Sequence, residues 1–165
     1  RRTATTKLLR LCAVTTAALF VQLVLGAILR HTGTVEGTKG HVLVIWALIV
    51  HLLGAFIVTI LMIAALMFFM RLAKESFFTR LIYFTLGLLC FQWVLGVGSF
   101  MARADIANRI QPTTWKIGVT VSHVAAGALL LGVLVVLTLF VARYSFYQRE
   151  YFVMGNEVFD GQVRQ

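Results

Sequence analysis

One proline, two cysteines and six acidic side chains are all that these 165 residues hold of those types. The proline, Pro112, lies outside every apolar run, so nothing in those runs breaks a helix. Cys12 stands two residues from Arg10, and Cys90 ten residues from Arg80, both inside apolar runs. At about 1.5 Å per helical residue their depths differ by roughly 12 Å, whereas a disulfide needs Cα atoms within about 7 Å. They read as two unbridged packing residues. No nucleophile–base pair, phosphate-binding loop or thiolate metal site appears, and Glu36 and Asp105, the acids of one side, fall in loops.

Charge is scarce as well. Charged residues make up 13% of the chain and apolar residues 60%, and the mean hydropathy is +0.91. A soluble domain carries about 25% charged and about 45–50% apolar residues. The apolar residues gather in four long runs, which read as helices over about 11–29, 41–70, 81–102 and 117–142. The first run is followed by three more, so it reads as a span rather than a cleaved leader. The second run is long enough that it tilts or stands partly above the hydrocarbon. The expected fold is therefore an all-α integral membrane protein, a four-transmembrane-helix bundle over residues 1–143 with a polar tail over 144–165.

The net charge of +9 does not point to nucleic acid, because the basic residues flank the apolar runs and form no arginine–aromatic stripe. Their distribution gives an orientation. Arg1, Arg2, Lys7, Arg10, Arg71, Lys74, Arg80, Arg143, Arg149 and Arg164 fall on one side, and Arg30, Lys39, Arg103, Arg109 and Lys116 on the other. The richer side is expected to be cytoplasmic, with both termini inside. The expected membrane is the cytoplasmic membrane of a bacterium or archaeon in preference to an organellar inner membrane, and the tail is a candidate docking segment for a partner.

The chain also repeats itself. HLLGAFIVTILMIAALMFFMR, from His51 to Arg71, is answered seventy-two positions later by HVAAGALLLGVLVVLTLFVAR, from His123 to Arg143. Each stretch opens on a histidine, closes on an arginine twenty positions on, and holds no other charge between. FVQLVLGAIL and FQWVLGVGSF match too: Gln22 and Gln92 each lie twelve residues after an arginine, and Gly26 and Gly96 each follow their glutamine by four. The pattern predicts two tandem helix hairpins of one plan, related by a pseudo-twofold axis along the membrane normal.

Twenty helical residues put each imidazole about 30 Å from the arginines, near the outer edge of the hydrocarbon. The pseudo-twofold would make the rings of His51 and His123 face each other at one depth. Gly54 with Ala55, and Ala126 with Gly127, follow the histidines by one turn and are expected to leave a slot beside each ring. Two neutral imidazoles on opposite sides of one iron are the axial ligands of a haem, and a slot of this kind suits a flat macrocycle. The alternative for each histidine is an interhelical hydrogen bond. Gln22 and Gln92 are candidates for contacts to the cofactor or between helices, and Arg30 and Arg103 for its carboxylates or for lipid headgroups. His31 reads as an interfacial residue, and His41 as an interfacial residue or a wall of the pocket.

With QLVLGAILRHTG in the first span, QWVLGV in the third, His51 in the second and SHVAAGALLL in the fourth, residues 10–143 resemble one half of a haem A synthase. The resemblance implies a four-helix bundle, a haem held by His51 and His123, and oxidation of a haem O methyl group to the formyl of haem A. Three features depart from it. Most members have twice as many spans and a second haem site. The catalytic half of that family often has a glutamate three residues before the second-span histidine and an arginine after it, where this chain has Leu48 and Leu52. Many members carry a cysteine pair in the outer loop. The haem site therefore carries over further than the catalysis. The expected function is a bis-histidine haem b cytochrome, haem O or haem A being the other candidate cofactors. It would transfer electrons beside other transmembrane subunits or as a homo-oligomer, with the lipid bilayer as solvent and no nucleic acid bound. The alternatives are a minimal haem A synthase and a purely structural membrane subunit.

Overall fold

The computed structural model describes the backbone of residues 2–32, 38–72, 76–104 and 113–163, and the side chains of 3–30, 42–71, 77–103 and 113–147. The chain is all helix among these residues: α1 Arg2–Thr32, α2 Thr38–Leu72, α3 Ser76–Ala104 and α4 Thr114–Val163. The shortest, α3, has 29 residues, which at about 1.5 Å each exceeds the roughly 30 Å of a bilayer's hydrocarbon. Each helix contains a stretch long and apolar enough to cross a membrane: Thr3–Arg30, Val42–Arg71, Phe77–Arg103 and Thr114–Tyr147. No aspartate or glutamate falls in any of them. Helices this apolar on every side belong in lipid, and Phe20, Trp46, Ile60, Val94 and Leu139 all point outward from the bundle. Four candidate membrane-spanning helices of this kind suggest an integral membrane protein.

The helices form a ring in chain order. α1 packs closely on α2 and α4, and α3 on α4, while α2 and α3 touch lightly. Neighbours run antiparallel, as the cross-contacts show: Gln22 with Gly54 and Gly26 with His51, then Gly96 with His123 and Gly98 with Val119. The α1–α4 seam carries a hydrogen bond between the Thr16 and Thr138 hydroxyls at 3.0 Å.

The core is lopsided. Leu8, Met62, Leu66, Ile82, Leu130 and Leu134 are the apolar side chains sealed most completely, and all lie on the arginine side of the two histidines. Thr15 and Thr85, at corresponding positions of α1 and α3, are fully buried there. Each donates to the carbonyl four residues back, Leu11 O and Leu81 O, at 2.7 Å. That local bond satisfies a buried hydroxyl without a partner on another helix. Farther along, His51, Gly54, Ala55, Gln92, Gly96, Ser99 and His123 are only half-buried.

The helices outrun the expected spans at their ends. α4 continues unbroken through the tail to Val163, so the polar segment after residue 143 extends the last span and is not a separate coil. Length in lipid limits an apolar run, but backbone hydrogen bonds carry a helix on into water.

Candidate functional site

Each of the two helix pairs carries the same reciprocal contact. In α1–α2 the His51 ring lies on Gly26, its Cε1 3.1 Å from the point a Cβ there would occupy, while the Gln22 amide lies on Gly54. In α3–α4 the His123 ring lies on Gly96 with Cε1 at 3.3 Å from the same point, and the Gln92 amide on Gly127 with Nε2 at 3.1 Å. A Cβ on any of these glycines would crowd the polar group seated there. The first helix of a pair thus lends a glutamine and takes a histidine, and the second does the reverse.

These contacts also fix the depths. Leu23 touches Gly127, and its neighbour Gln22 touches Gly54. Both glycines therefore sit level against one turn of α1, and the histidines one turn before them are level too.

The slots differ from the sequence expectation. Gly54 and Gly127 were expected to leave room beside the imidazoles. In the structure they receive the glutamines, and the imidazoles rest on Gly26 and Gly96. The antiparallel register explains the exchange: a residue on α2 meets α1 at its own level, where the partner is four positions from the glutamine. Gly26 and Gly96 already stood out in the repeat, but no periodicity tells which glycine faces which ring.

The polar groups of the two pairs are satisfied unequally. Gln22 Nε2 donates to His51 O at 2.6 Å and lies 3.0 Å from His51 Nδ1. The Gln92 backbone faces the His123 ring, yet His123 Nδ1 is buried with no hydrogen bond of ordinary geometry. Gln92 Oε1 and Gln22 Oε1 are buried and unpartnered too, as are Ser99 Oγ and Thr113 Oγ1 toward the same end of the bundle. Orphaned buried polar atoms are rare and costly. Here they crowd the histidine end.

Of the basic residues at this end, Arg103 donates from Nη2 to Leu29 O at 2.7 Å, reaching from α3 to the last turn of α1. One of its five N–H groups is used in that bond. Arg30 is exposed. Lys116 is buried, two turns before His123 on the same face of α4. The side chains of His31, His41 and Lys39, and the whole of Glu36, Asp105 and Arg109, lie outside the described residues. Sequence reading missed Trp93, beside Gln92. Its ring packs on Phe56 with centroids 4.9 Å apart, and its indole nitrogen donates to Thr59 Oγ1.

No group of three or more His, Cys, Asp or Glu that could hold a metal lies among the described residues, and Cys12 and Cys90 are both free. The chemistry available is that of an imidazole pair with two amides beside it. Neither family models, nor curated proteins, nor solved structures contain a match to this chain.

Proposed function

We propose that this chain is a b-type membrane cytochrome holding one haem between His51 and His123, and that it transfers electrons within a larger membrane assembly or as a homo-oligomer. The observation that carries the reading is the level pair of imidazoles at the loosely packed end, each seated on a glycine of the neighbouring helix. Neutral imidazole is a standard axial haem ligand, and ligation through one ring nitrogen would satisfy a group that lipid cannot.

The residues present fit such a group. Each ring is steadied by a glycine contact on the neighbouring helix, and the Gln22 amide stands at Nδ1 of His51. Among the described residues Arg103 spends one N–H on Leu29 O, and its other N–H groups would suit an anionic substituent at the bundle's mouth. A haem bound by two imidazoles supplies one-electron exchange with no open iron position. The apolar end below closes the site off from that side.

On this reading the two helix pairs are tandem copies of one hairpin. The arginine-rich end faces the cytoplasm, both termini included, and the histidine end faces outward in a bacterial or archaeal cytoplasmic membrane.

The test is a reduced-minus-oxidised spectrum of the purified protein with pyridine haemochrome analysis. A low-spin b-type spectrum is expected, lost in His51→Ala and in His123→Ala. Full haem retention in either variant would refute the ligand assignment, and a colourless wild-type protein reconstituted with haem would sink the reading altogether.

A further inference from the structure

The two imidazoles are held differently, and the difference has a chemical consequence. The Gln22 side chain is 7% exposed and its amide nitrogen lies 2.6 Å from the His51 carbonyl oxygen. An oxygen at that place would set two carbonyl oxygens against each other, so the group there is the NH2. The same nitrogen lies 3.0 Å from His51 Nδ1. An amide nitrogen only donates, so Nδ1 of the neutral ring accepts and its one proton sits on Nε2. Around His123 the group that faces the ring is the Gln92 backbone, and no hydrogen bond to Nδ1 is made.

We infer that Gln22 is a positioning residue that locks His51 in the Nε2-protonated tautomer, and that His123 has no such lock. The consequence for ligand binding rests on the haem reading above. Iron at Nε2 needs the lone pair there, so the ring proton has to move from Nε2 to Nδ1, with no electron transferred. Gln22 then has to turn its amide so that Oε1, now buried and unpartnered, accepts from Nδ1–H. His123 needs no donor displaced. A haem would therefore meet no donor to displace at His123, and His51 would hold it only once its own lock had opened.

The experiment uses full-length protein with 15N-labelled histidine, in nanodiscs and without haem. Ring nitrogen shifts are expected to place the His51 proton on Nε2 in the wild type. In Gln22→Met that preference is expected to be lost, and His123 to be unmoved. A proton on Nδ1 of wild-type His51, or the same tautomer with and without Gln22, would overturn the inference, and the wild-type measurement alone decides if the variant does not fold. Adding haem gives a second readout: with one hydrogen bond fewer to break, Gln22→Met is expected to reach its low-spin spectrum roughly 2- to 10-fold faster. Equal rates would count against the lock. A wild type that takes up no haem would remove the proposed function while leaving the tautomer result to stand or fall by itself.

Discussion

The Trp93 indole nitrogen donates to Thr59 Oγ1 at 3.0 Å, across the seam where α2 and α3 touch least. Its counterpart on α1, one residue past the other glutamine, is Leu23, whose Cδ2 lies 2.8 Å from the Cβ point of Gly127 on α4. A leucine on a glycine lets two helices approach, and an indole on a phenylalanine keeps two apart. Two helix pairs with matching polar contacts thus meet through one tight seam and one held open by aromatic rings.

Removing the seam's hydrogen bond is expected to weaken the bundle mildly. Thr59→Val and Trp93→Phe should share a coupling of about 0.6 kcal/mol, the average for an interhelical bond in a membrane. A double-mutant cycle on unfolding in bicelles measures it. A coupling of zero would mean the bond does not persist in lipid.

Glycine substitutions are expected to separate contact positions from open ones. Gly98→Ala brings a methyl group to 2.9 Å from Val119 Cγ1, a side chain with little rotamer freedom, and a loss of about 1–3 kcal/mol follows. Gly54→Ala displaces Gln22 and breaks its bond to the His51 carbonyl, with a similar loss. Gly87→Ala and Gly132→Ala have nothing within 4 Å and are expected to leave the midpoint unchanged or raised. Equal effects at all four positions would contradict the packing described.

Arg103→Gln removes a charged donor from the carbonyl end of α1. A loss of about 0.3–1 kcal/mol is expected, as for a cation at a helix C-terminus. Arg103→Lys should recover part of it, and Arg30→Gln, at an exposed position, should lose little. Thermal unfolding in detergent, read by circular dichroism, makes the comparison.

Orientation is open to labelling. With Cys12→Ala and Cys90→Ala as background, Thr3→Cys and Tyr147→Cys are expected to react with an impermeant maleimide only in inside-out vesicles. Reaction of either in intact cells would reverse the proposed sidedness.

Much of this was legible in the sequence. Four spans follow from hydrocarbon thickness alone, and Gln22, Gly26, His51 and their counterparts stood out because a polar or missing side chain is conspicuous in an apolar run. Which of them touch was not legible. Gly54 lies one turn from His51 in sequence, yet the antiparallel register hands it to Gln22 and gives the ring to Gly26. The inequality of the two pairs was equally hidden, because it depends on how one amide settles between a ring and a carbonyl. Nor does the repeat show that Trp93 and Leu23, at matching positions, set the spacing of the two seams by their bulk.

The sealed half of the bundle has an electrical meaning. Its fully buried hydroxyls, Thr15 and Thr85, are spent on their own helices, and none of the four spans supplies an acid. Among the described residues the spans lay no acid through it, as an insulating layer beneath the histidine end requires. On the proposed reading, charge entering at the imidazoles would leave by the same face, and the membrane voltage would neither drive that exchange nor be built by it.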